Sequence, residues 1–179
     1  NMFNFGTGAV IDPKDERDYS YDVLAATAPI TIDWAKGYDI RNEIGDFVFK
    51  NQFDSSSCVG QGWAYYLAVL NAIETGVYDN CSAKAIYSQI FLTGGGAYIR
   101  DGAKLICDWG GLKETVVPSN KADGTTDEDF MRDKAWKNSN LDSLAKVLQG
   151  KDYRVISAVQ DMDLFAQAIL QNKGVVAGV

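Results

Sequence analysis

The stretch from Asn51 to Tyr66, NQFDSSSCVGQGWAYY, decides how this chain is read. A polar, serine-rich loop ends on Cys58, and an apolar segment follows directly. Across CVGQGWAYYLAVLNAIETG, residues 58–76, the apolar Trp63, Leu67, Leu70 and Ile73 recur at spacings of three and four, which predicts one buried helical face. Gly76 is the expected stop. A thiol in the first turn of such a helix sits at the positive end of the macrodipole, where unpaired N–H groups favour the thiolate. The same N–H groups can receive an oxyanion, and Gln52, six positions before Cys58, could supply a second donor from its side-chain amide. On these residues alone two readings stand side by side: a nucleophile, or a small core residue at a helix start. The absence of histidine sharpens the choice, because a cysteine nucleophile ordinarily works beside an imidazole.

The rest of the composition narrows the field. Hydrophobic residues make up 46% of the 179 and aromatics 12%, enough to bury a real core. Seventeen basic against twenty-four acidic residues give a net charge of −7 with no basic cluster, so nucleic acid is not an expected partner. No apolar run approaches the roughly 20 residues of a membrane span, and the first residues lack the basic-then-apolar layout of a signal peptide. Membrane association is not expected, and neither is a cofactor. Three widely spaced cysteines, Cys58, Cys81 and Cys107, suggest neither a disulfide framework nor a zinc site. Cys81 and Cys107 read as two buried free thiols in preference to a bridge.

Along the chain, residues 1–32 carry few helical signals and read as an extended strap. Asp12, Asp15 and Asp18 lie on it, but without the central Gly and closing Glu of a calcium loop they read as solvated turn carboxylates. Further on, SAKAIYSQIFLTGGG predicts a helix capped by Ser82 and ended by the glycines at 94–96, and a third helix covers Arg100 to Trp109. The charged run SNKADGTTDEDFMRDKAWKNSN reads as a solvated loop and a short helix. YRVISAV, then DMDLFAQAILQNK with Asp161 or Asp163 as cap, then GVVAGV read as strand, helix, strand.

Asn51-Gln52, five residues, then Cys58 opening a long apolar helix resembles the active-site signature of papain-like (C1 family) cysteine peptidases. TIDWAKGYDIRNEIGDFVFKNQ is similar to the family's Asp-Trp stretch leading into Val-Lys-Asn-Gln, and GAVIDPKDERDYSY resembles the strap of its bacterial and phage members. SAKAIYSQIFL, GGGAYIRDGAKLICDWGGLKETVVPS and GVVAGV resemble later family segments in the family's order. Two positions depart: Val59 stands where a Trp usually follows the nucleophile, and Ser55 stands where secreted members carry a disulfide cysteine.

The resemblance implies an α+β, two-lobe fold: a strap and lead-in strand over residues 1–50, a helical lobe over 51–150, and the start of an antiparallel β lobe over 151–179, only partly present. It implies a peptidase in which Cys58 attacks a peptide carbonyl to form an acyl-enzyme, Gln52 helps hold the oxyanion, and Gly95 and Gly96 let a substrate strand pair with the backbone. The catalytic His and Asn, which the family places after the GVVAGV-like strand, would then lie on a missing or separate C-terminal segment, a partner of this chain alongside peptide or protein substrate. The alternative is a catalytically inactive papain-like module with a structural or binding role, for instance in a phage particle.

Overall fold

The computed structural model describes residues 8–158 and 160–178. Most helices start where a short polar side chain can take up an orphan backbone N–H. Ser20 caps α1 (Tyr21–Thr27), Ser82 caps α4 (Ala83–Ile90), Asp127 caps α6 (Glu128–Arg132), Asn138 caps α7 (Ser139–Ala145) and Asp161 caps α8 (Met162–Asn172). Three helices lack such a cap: α2 (Arg41–Ile44), the long α3 (Cys58–Thr75) and α5 (Ile99–Asp108). Helix α3 ends at Gly76 in the left-handed conformation, as the sequence predicts. Helix α1 was not legible, although Ser20 and Asp22 together form a capping signal.

The core is built by α3 lying on α4. Their contact depends on Gly60: a Cβ there would lie 2.7 Å from Tyr87 Cβ and 2.8 Å from the Ala83 carbonyl oxygen, so only glycine permits this approach. The residues that α3 buries are Val59, Gly60, Gln61, Ala64, Leu67, Ala68 and Ala72. This corrects the expected face: Leu67 is on it, Trp63 and Leu70 flank it half-buried, and Ile73 is exposed. Small residues won because α3 presses against another helix at backbone distance. Ile86 and Tyr87 of α4, Ile106 of α5 and Met131 of α6 belong to the same cluster. A second cluster joins Ala85, Leu112, Val117 and Ala145 under Trp109 and Trp136, and a third packs α1 on α8 through Tyr21, Ala25 and Ala168.

The strand expectations fare differently. Among the described residues the sheet is two short parallel strands, β1 (Ala9–Val10) beside β2 (Ala97–Tyr98). Instead of a strand, the segment from 153 shows one parallel bridge between Val155 and Ser20, and 174–178 is irregular; Val159 and Val179 fall outside the described residues. Nor does a lead-in strand form before Asn51. A β-branched run becomes a strand only where neighbours accept its ladder of hydrogen bonds, and Val155 finds just Tyr19 and Tyr21, its N–H donating to the Tyr19 carbonyl and its own carbonyl accepting from the Tyr21 N–H. Over 151–179 the expected helix forms with Asp161 as its cap, while among the described residues the expected antiparallel pairing gives way to a single parallel bridge.

Gly→Ala in an open helix stabilises by about 1 kcal/mol. Gly60→Ala is expected to do the reverse and to lower unfolding stability by about 1–3 kcal/mol through overpacking. Urea unfolding checks this, and a stabilised variant would show that α3 and α4 do not meet at Gly60.

Candidate active site around Cys58

The loop that precedes Cys58 is folded back on itself. The Ser55 N–H and hydroxyl both donate to the Gln52 carbonyl, at 3.0 and 2.7 Å, closing a turn. The buried Ser55 and Ser57 hydroxyls lie 2.7 Å apart, and the Asn51 side-chain oxygen accepts from the Phe53 N–H at 2.8 Å. Phe53 takes a positive φ of 44°, which costs a bulky L-residue on the order of 1–2 kcal/mol and persists because the turn over-determines it. Ser55 thus has a role of its own: where a cysteine would tie the loop covalently, its hydroxyl ties Gln52 and Ser57 by hydrogen bonds.

The loop delivers Cys58 as the first residue of α3, half-buried and packed against the main core cluster. Ser57 at the N-cap makes no side-chain capping bond. The first-turn amides therefore face no competing side chain from the cap, the condition under which a helix start can receive a developing negative charge. Gln52 is half-buried on the same loop.

Two residues before Gln52, Lys50 anchors the approach. Its ammonium pairs with Glu114 at 2.8 Å and donates to the Cys81 carbonyl. Glu114 in turn accepts from the Ser119 hydroxyl at 2.8 Å, and that hydroxyl accepts from the Ala83 and Lys84 N–H groups at 2.9 and 3.2 Å. The start of α4 and the approach to Gln52 are therefore held by one carboxylate.

The glycine turn is distinct from the end of α4, which closes at Ile90 before the glycines are reached. Gly95 and Gly96 have φ of 95° and 74°. Gly96 donates its N–H to the Tyr87 hydroxyl at 3.0 Å, while its carbonyl accepts from the Leu92 N–H at 2.9 Å. A Cβ on Gly96 would strike the Gly8 carbonyl, so the close backbone approach that demands glycine here is made by the strap itself, whose Gly8 carbonyl accepts from the Ala97 N–H at 2.8 Å. A Cβ on Gly95 would stand 3.4 Å from Ser56 Oγ, so the glycine turn directly faces the loop that carries Cys58.

The strap is latched through Arg100. Its guanidinium pairs with Asp18 and donates to the Pro13 carbonyl, while Asp12 accepts from the Arg100 backbone N–H at 3.1 Å. Burial pushes the Asp12 carboxyl upward. Asp15 pairs with Arg17 instead. The three strap carboxylates are thus tied to arginines and backbone, and among the described residues no cluster of three or more His, Cys, Asp or Glu could hold a metal. A groove of about 1150 Å³ runs behind the strap past Trp63, Arg100 and Tyr153, and its lining includes neither Cys58 nor Gln52. The candidate chemistry therefore sits at the helix start, outside this groove.

Sequence reasoning missed Tyr87, Glu128 and Arg132. Glu128 sits in the charged run read as solvated, yet its carboxylate accepts from the Ser56 N–H at 2.6 Å. A carboxylate beside a capping Asp is the one sequence signal, and it gives no hint of a distant partner.

By sequence, no protein-family model and no curated protein matches the chain. By structure it resembles xylellain, a cysteine protease from Xylella fastidiosa, with a TM-score of 0.62 at 19% identity over 92% of this chain. The fold is papain-like. The chain spans 62% of the length of xylellain. The ragweed pollen cysteine protease Amb a 11, in its proform, also aligns, over 68% of this chain and 40% of its own at 18% identity, with a TM-score of 0.42 that is too low to bear on the fold. Among the described residues no helix is long and apolar enough to cross a membrane.

All three cysteines are free. Burial pushes the Cys81 thiol up to about 12, and burial raises that of Cys107 as well. An acid whose folded pKa is raised stays protonated when the unfolded chain has already lost its proton, so Cys81 lowers stability as pH climbs from its unfolded value of about 8.5 toward 12. Iodoacetamide at pH 8.5 is expected to modify Cys58 first, Cys107 more slowly and Cys81 only on unfolding, as read by mass spectrometry of peptides. Native-state labelling of Cys81 ahead of Cys58 would contradict the placement of both.

Proposed function

We propose that this chain supplies the nucleophile and the oxyanion donors of a papain-like cysteine peptidase. The observation that carries the reading is the placement of Cys58: a half-buried thiol on the first turn of an 18-residue helix, without a side-chain cap, reached through a turn closed on the Gln52 carbonyl. Cys58 attacks the scissile carbonyl, and the oxyanion rests on the Cys58 N–H and the Gln52 side-chain amide. A peptide strand lies along the glycine turn at Gly95 and Gly96. The base that takes the thiol proton is a histidine on a C-terminal segment or separate chain, oriented by an asparagine, because this sequence contains no histidine. Within that family the reading is of the bacterial and phage type, which the resemblance of residues 8–21 to the strap of those members supports.

A second reading follows from the same absence. Without an imidazole the chain is an inactive papain-like module that binds a peptide or structural partner through the same surface.

A peptidyl aldehyde separates the two. It adds reversibly to a thiol and places a hemithioacetal oxygen where the oxyanion forms. The full 179-residue chain is expected to bind it at Cys58, and Gln52→Ala to weaken binding about tenfold, one hydrogen bond's worth. The chain alone is expected to leave a fluorogenic peptide uncut. Addition at Cys107 as readily as at Cys58, or no effect of Gln52→Ala, would remove the peptidase reading; turnover by the chain alone would overturn the assignment of the base to another segment.

A further inference from the structure

Three donors converge on the Glu128 carboxylate: the Ser56 N–H, the Tyr87 hydroxyl and the Arg132 Nε–H, each at 2.6 Å. Tyr87 is wholly buried, and its oxygen accepts from the Gly96 N–H while donating to Glu128. The backbone two residues before Cys58 is thereby connected to the glycine turn through one carboxylate and one phenol. Two further contacts repeat the geometry. Asp54 and Asp127 form a parallel bridge, and a Cβ placed on Gly95 would lie 3.4 Å from both Ser56 Oγ and an Arg132 guanidinium nitrogen. Helix α6 is too short to be held by propensity. Its position is fixed by these contacts and by the buried Met131.

We propose that Glu128, acting through Tyr87, is the positioning residue that sets the nucleophile loop and the glycine turn at a fixed distance from each other. What those two elements are for rests on the peptidase reading; that they are coupled does not. A charged acceptor suits the task because hydrogen bonds to an ionised carboxylate are short and strong, and because a carboxylate accepts on both oxygens. A glutamine at 128 keeps the shape but puts an NH2, which accepts nothing, on one side.

The test uses Glu128→Gln and Tyr87→Phe in the full chain, checked for folding by far-UV circular dichroism. Amide hydrogen exchange is read at Ser56 and Gly96 by NMR, and Cys58 is titrated with both the peptidyl aldehyde and iodoacetamide. Both variants are expected to speed exchange at both amides about tenfold. Peptidyl aldehyde binding should fall while the iodoacetamide rate at Cys58 stays near that of the parent, a split that general loosening of the fold does not give. Faster exchange at Gly96 alone in Tyr87→Phe would overturn the coupling, as would unchanged exchange at Ser56 in Glu128→Gln. If the parent chain shows no preference of Cys58 for the peptidyl reagent, the peptidase reading fails, and the exchange results decide the coupling by themselves. Should Tyr87→Phe not fold, Glu128→Gln carries the same comparison.

Discussion

The close seating of α3 on α4 at Gly60 is the constraint on which everything near Cys58 depends. Without a Cβ at that one position, the first turn of α3 can lie against Ala83 and Tyr87 at backbone distance. That contact fixes the direction in which α3 begins, hence where Cys58 and its first-turn amides point. It also buries Tyr87, whose hydroxyl then reaches the glycine turn. A packing requirement thus determines the placement of polar groups two residues and one turn away. Interiors packed at crystal-like density transmit position in this way.

The loop carrying Gln52 is held from both ends by carboxylates that belong to later parts of the chain. Glu114 holds Lys50 on one side, and Glu128 holds the Ser56 N–H on the other. Between them the Ser55 hydroxyl clamps Gln52's carbonyl, and Phe53 carries the strain. Since Lys50 and Glu114 are partly buried, their pairing is worth more as a positional device than as a source of stability. Such supporting contacts are what keep catalytic groups within fractions of an ångström of a useful geometry.

The helices around the site were legible in the sequence because caps and stops are local chemistry. Ser82, Asp161 and Gly76 act within a few residues of themselves, and each does what its type predicts. The buried face of α3 was half legible. Leu67 declared itself, but the helix-to-helix approach at Gly60 depends on α4, and periodicity of large residues overvalued Ile73. The terminal strands failed for a different reason: β-branched residues state a preference, while a ladder needs a partner that local sequence does not name. Glu128 was invisible for the same reason, since nothing in a charged run says which carboxylate will meet a backbone N–H 72 residues earlier. At the candidate site, then, the residues proposed to react could be nominated from the sequence, whereas the contacts that support their loop could not.

The central claim is that the Gln52 side-chain amide and the N–H at the start of α3 aim at one point. A crystal structure of the Cys58 adduct with a peptidyl aldehyde measures this directly. A hemithioacetal oxygen about 2.7–3.1 Å from both Gln52 Nε2 and the Cys58 backbone nitrogen is expected. An adduct whose oxygen points to solvent, or toward the core with Gln52 turned away, would contradict it.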